Sequence, residues 1–125
     1  MIKYSLLIGT GGFIGSVARY YLSRAVQQTL LSSFPFGTFV VNVAGCLLIG
    51  FMFGIAEKSA WFTPEWRLFL TVGLCGGFTT FSTFASESYN LLRDGQFTHF
   101  FLYPALSVTA GLIAVYFGHL LAKTI

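Results

Sequence analysis

The chain has 125 residues, 55% of them apolar and only 9% charged, with a mean hydropathy of +0.76. A water-soluble domain carries about 25% charged residues, so this composition excludes an ordinary soluble enzyme. The net charge of +3 is scattered along the chain and too thin for a nucleic-acid-binding face.

Crossing a hydrocarbon core of about 30 Å takes about 20 mostly apolar residues. Four such spans fit between the charges, at 4–25, 36–56, 67–92 and 98–122, with short loops between them. The reading is therefore an all-α membrane protein of one domain over 1–125. Lys3 precedes the first apolar run, but no small-residue cleavage site leads on to a soluble domain, so the run reads as a span and not as a cleavable signal.

The first span carries Arg19 and Arg24 in its last third. Arg19 either snorkels to the interface or belongs to a water-filled vestibule. Gly11 with Gly15, and Gly12 with Ser16, have the small-xxx-small spacing that lets membrane helices approach closely. Gly9-Thr10-Gly11-Gly12-Phe13-Ile14-Gly15 echoes a dinucleotide-binding turn. It lies inside an apolar span with no strand before it and no acid about 20 residues on, and is rejected as one.

The second span is the most uniformly apolar and is closed by Glu57 and Lys58. Asn42 stands alone in it, with Thr38 and Cys46 on the same helical face. Its amide offers two donors and an acceptor, and serves either an interhelical hydrogen bond or a conduction path. Gly45, Gly50 and Gly54 are further close-approach positions. Cys46 and Cys75, both inside apolar spans, lack CxxC pairing and metal-ligand spacing and read as small packing residues.

The third span is too long for one straight, untilted helix at about 1.5 Å per residue. Near its middle lies Gly76-Gly77-Phe78-Thr79-Thr80-Phe81-Ser82-Thr83-Phe84. Paired glycines followed by β-branched and hydroxyl residues weaken a helix, and a break is expected between Gly76 and Thr80. In lipid the freed carbonyls cost several kcal/mol each unless protein, water or an ion meets them. An ion site at membrane depth follows. Phe81 and Phe84 lie three residues apart on one helical face, beside the hydroxyls of Ser82 and Thr83. An aromatic ring is positive at its edge, so rings turned edge-on can contact a small anion without any formal charge. Glu87, a turn later, is either a vestibule charge or half of a surface pair.

In the fourth span Tyr103, Ser107 and Gly111 align at i, i+4, i+8, Tyr103 also fitting an interfacial belt. Ala110, Gly111 and Ala114 are its small residues. With four spans both termini share one side. Lys3, Lys58, Arg67 and Lys123 then face Arg24, Arg93 and, by its depth, Arg19. That bias is nearly balanced under the positive-inside rule. Either the span edges are off by a few residues, or the protein inserts both ways round and opposed copies pair about an axis in the membrane plane.

Taken together, Gly76–Phe84 resembles the third-helix signature of the Fluc (CrcB-type) fluoride channels. Pro35-Phe36-Gly37-Thr38-Phe39-Val40-Val41-Asn42-Val43-Ala44-Gly45 resembles that family's second-helix motif, and Gly11-Gly12-Phe13-Ile14-Gly15-Ser16-Val17-Ala18-Arg19-Tyr20 its first. The resemblance covers nearly the whole chain. It implies four transmembrane helices with the third broken, dual-topology insertion in a bacterial inner membrane, and an antiparallel homodimer with two pores that passively exports fluoride. It implies Asn42, Phe81, Phe84, Ser82, Thr83, Tyr103 and Ser107 along the fluoride path, with Arg19 at a vestibule. It further implies a structural sodium ion, not transported, on backbone carbonyls of Gly76 and Thr79 from both subunits. Gly111 departs from relatives that carry a second serine there.

No Walker motif, catalytic triad or metal-ligand cluster is legible, so no enzyme is expected. A small proton-coupled multidrug exporter would need a carboxylate in an early span, and none precedes Glu57. A structural accessory subunit would account for the small-residue packing but not for the weakened third span.

Overall fold

The structure is a computed structural model that describes residues 1–58 and 62–124. Helix α1 runs Ile2–Leu30, α2 Phe36–Lys58, α3 Pro64–Arg67, a π-helical segment π1 Leu68–Cys75, α4 Gly76–Phe78, α5 Phe81–Arg93 and α6 Phe97–Thr124. No strand occurs among the described residues. Among the described residues, three stretches are long and apolar enough to cross a membrane: Phe36–Lys58, Pro64–Arg93 and Phe97–Thr124. The expected first span lies within α1, whose 29 residues suffice in length but include Arg19, Arg24, Gln27 and Gln28. The helices overrun the expected edges, α1 by five residues at its C-terminal end.

Side-chain chemistry punctuates the rods. Leu31 closes α1 in the left-handed region (φ 44°), its N–H returning to the Gln27 carbonyl. The Gln27 amide then ties the turn to α2: Nε2 donates to the Ser32 and Phe34 carbonyls at 2.7 and 3.2 Å, and Oε1 accepts from Gly37 N–H at 2.9 Å. Thr63 caps α3 with Pro64 at its first position, the start that Thr63-Pro64-Glu65 encodes. Gly95 turns the chain into α6 at φ +76°, where a Cβ would be strained.

The packing is that of a membrane bundle. Helices α2 and α6 share the largest contact, closed at one end by Glu57 and His119 at 3.1 Å. Helix α1 lies against π1 and α4. There a Cβ on Gly15 would overlap the Leu74 carbonyl oxygen, and one on Gly77 would come within 2.6 Å of the Gly12 carbonyl. Among the described residues, Phe34, Leu91 and Tyr103 form one small apolar core, and Met52, Phe62 and Cys75 form another. Large side chains such as Phe13, Phe101 and Leu112 stay about 70% exposed. A soluble monomer rarely presents so much apolar surface, whereas a bilayer solvates it.

Candidate functional site

Between α4 and α5 two residues leave the helical region: Thr79 (φ −95°, ψ 157°) and Thr80 (φ −152°, ψ 131°). The two glycines remain in helix, with Gly76 at φ −63°. The lack of a side chain serves close approach at Gly77, which rests on Gly12 and Ser16 of α1, whereas a Cβ on Gly76 would make only ordinary contact. The interruption itself belongs to the threonines, because Thr80 is the N-cap of α5 and takes the Thr83 N–H on its hydroxyl at 3.4 Å. Just before it, π1 carries the i→i+5 bonding that recurs at functional sites, the Gly76 N–H reaching the Thr71 carbonyl.

In a continuous helix Thr80 N–H would serve the Gly76 carbonyl, but it donates to Asn42 Oδ1 at 3.2 Å. Thr83 N–H would serve the Thr79 carbonyl, but it goes to Thr80 Oγ1. The carbonyls of Gly76 and Thr79 thereby lose their helical partners. The Gly77 carbonyl is taken by Arg19 Nε at 3.2 Å, and the Thr80 carbonyl accepts from Asn42 Nδ2 at 3.4 Å. Asn42 thus clasps Thr80 by both its backbone groups. Gly76 and Thr79 keep two neutral oxygens at the C-terminal end of a short helix, a donor set that suits a hard cation.

A cavity of about 630 Å³ opens beside these residues. It gathers Asn42, Gly76, Thr79, Phe81, Phe84 and Ser107 from three separate spans, and its lining carries no formal charge. The Phe81 and Phe84 rings sit 5.9 Å apart at 43°, Phe81 being 78% exposed and Phe84 packed on the Tyr103 ring at 4.8 Å. Ser107 Oγ is buried without a hydrogen-bond partner. Such a hydroxyl in a cavity wall is a donor awaiting an acceptor.

Four expected site residues lie outside that lining. Ser82 and Thr83 gather on the Thr80 hydroxyl, each 3.4 Å from it. Tyr103 is fully buried and donates to Glu87 Oε1 at 3.3 Å, with buried Thr38 facing both, which gives Glu87 an internal partner. Arg19 is held at the break by the Gly77 carbonyl. Sequence reasoning missed Thr80, whose place immediately before Phe81 was the available capping signal. It also missed Thr71, which joins this cavity to a smaller one beside Tyr4 and Arg67.

The chain is similar to known proteins along nearly its whole length. The family described as CrcB-like protein, Camphor Resistance (CrcB), matches residues 6–119. A protein of Chlorobaculum tepidum named Fluoride-specific ion channel FluC is 49% identical over 123 residues, 98% of this chain and 97% of that one. Proteins of the same name from Chlorobium luteolum and Flavobacterium psychrophilum are 48% identical over 118 residues and 45% over 122. These alignments cover 94% and 98% of this chain, and 91% and 98% of theirs.

Proposed function

The chain belongs to the CrcB-like family, and on that premise we propose that it is a fluoride-selective passive channel through which cytoplasmic fluoride leaves the cell. It is a helical membrane protein and not an enzyme. The observation that carries the reading is the uncharged cavity where the unpartnered Ser107 hydroxyl meets Asn42, Phe81 and Phe84 beside an interrupted helix. Neutral donors and ring edges hold an anion without trapping it, which conduction requires. Asn42 uses one amide N–H on Thr80 and keeps a second for the ion. Ser82, Thr83, Tyr103 and Ser107 extend the path, and Arg19 lends positive charge at its vestibule. A weak acid that enters and dissociates in a more alkaline cytoplasm leaves fluoride behind, and a negative-inside potential drives it out.

The stretch Pro64–Arg93 is read as one transmembrane helix in two halves, in an antiparallel, dual-topology homodimer of the bacterial inner membrane. Its two freed carbonyls per subunit, Gly76 and Thr79, fit a structural sodium ion on the dimer axis. When bound, sodium supplies the charge that oxygens at half-helix ends lack.

The test is efflux. The protein is reconstituted in liposomes loaded with potassium fluoride, and external fluoride is followed after valinomycin. Rapid release, with chloride-loaded vesicles staying tight, is expected. No release from folded, inserted protein would overturn the channel reading and put the accessory-subunit reading in its place.

A further inference from the structure

The wall of the cavity also carries soft donors. Cys46 and Cys75 line it, and both thiols are free. Their surroundings differ. Cys75 Sγ lies 4.0 Å from Met52 Sδ, and the two residues, 2% and 9% exposed, share a core with Phe62. Cys46 instead faces α6, where a Cβ on Gly111 would come within 3.3 Å of its sulfur. One thiol is therefore paired with a thioether from a neighbouring helix, and the other is not.

Two sulfurs on opposite sides of one metal ion stand about 4.6 Å apart if each metal–sulfur bond is about 2.3 Å, the length of a zinc–thiolate bond. The observed separation is slightly shorter, and a methionine with three rotatable bonds can open it. Thiolate and thioether together select soft ions such as Cu(I). The lining offers no carboxylate or imidazole to favour a hard divalent ion. Charge decides the valence: a thiolate with a monovalent cation is neutral, and a neutral pair avoids the cost of a net charge in an apolar wall.

We propose that Cys75 and Met52 form a two-sulfur site for a thiophilic monovalent cation, Cu(I) or Ag(I), and that filling it obstructs the cavity beside Gly76 and Thr79. On binding, the Cys75 S–H bond breaks as the S–metal bond forms, and the proton passes to water. Nothing is oxidised or reduced. The obstruction rests on the channel reading; the binding does not.

The experiment uses silver nitrate in chloride-free buffer on the full chain. Silver retained per chain is measured after gel filtration with an equimolar monothiol competitor, which strips silver held by one thiol alone. Wild type and Cys46→Ser should each retain one ion per chain. Cys75→Ser should retain none, and Met52→Leu, nearly volume-conserving, should lose affinity by at least the roughly 10- to 100-fold typical of removing a supporting group at a metal site. In vesicles, silver should stop fluoride efflux from wild type and Cys46→Ser but not from Met52→Leu. Equal retention by wild type and Met52→Leu, or none by any of them, would overturn the site. Absence of efflux before silver is added would instead fail the channel reading and leave the binding result intact.

Discussion

Asn42 and Thr80 meet across 38 positions of sequence through two hydrogen bonds, one to the Thr80 N–H and one to its carbonyl. Removing the amide takes away both bonds at half-buried groups on a cavity wall, at about 0.5–1.5 kcal/mol for each hydrogen bond lost. Asn42→Ala should therefore lower the unfolding midpoint in detergent as well as cut fluoride efflux; an unchanged midpoint would mean the clasp is not made. Ser107→Ala separates function from folding in the other direction. Its hydroxyl has no partner, so stability should hold or rise slightly while efflux falls. Phe81 and Phe84 differ in exposure, and their isoleucine variants should differ too. Phe81→Ile should abolish efflux with no loss of stability, whereas Phe84→Ile should abolish it and also loosen the packing on Tyr103. Wild-type efflux from the double variant would refute the ring-edge account. Asn42 was legible as a lone amide in an apolar run; its partner was not, because that partner is main chain and main chain leaves no mark in composition.

At the scale of elements, the contact of α1 with π1 and α4 is set by small residues. The spacing of Gly11 and Gly15 announced a close approach, and in the structure those two are the buried residues of α1. Gly15→Ala should cost at least the roughly 1–3 kcal/mol of ordinary overpacking, because its Cβ would meet main chain and not a movable side chain. Gly9→Ala, with nothing within 4 Å, should be silent, or slightly stabilising as glycine leaves a helix. Monodisperse yield and thermal unfolding of the two variants check this. The third span shows where local reading stops. Paired glycines and hydroxyl residues marked the neighbourhood of Thr79 and Thr80, but the π turn before them was not foreseen; it lies where Gly73 packs on Ile8 and Gly11 of α1, a contact that no local pattern records. Gly111 also gains a reason: a serine there would crowd Cys46, which must shift by a few tenths of an ångström to admit it.

For the whole molecule, the proposed dimer and its proposed sodium ion are tested together. If sodium on Gly76 and Thr79 ties two subunits, replacing it with N-methylglucamine throughout purification should lower efflux and shift the dimer toward monomer in light scattering. Restoring sodium should reverse both. Efflux and mass that ignore the exchange would exclude a structural sodium. Dual topology has its own check, since thiol-directed labels at engineered sites near Lys58 and Arg93 should each react from both sides of the membrane.

Composition by itself determined the class of this protein. An apolar, charge-poor chain of this length is stable in a bilayer and not in water, and the order of its three motifs was enough to indicate the family that the comparisons bear out. Helix existence followed from the same local information, because backbone hydrogen bonds in a helix close within a few residues. Only the tertiary structure decided which groups meet: Asn42 with Thr80, Arg19 with the Gly77 carbonyl, Tyr103 with Glu87, Cys75 with Met52. Each pair joins separate spans. Which carbonyl is freed and which is taken depends on the rotation and depth of packed helices, and those are set by contacts that no local pattern records.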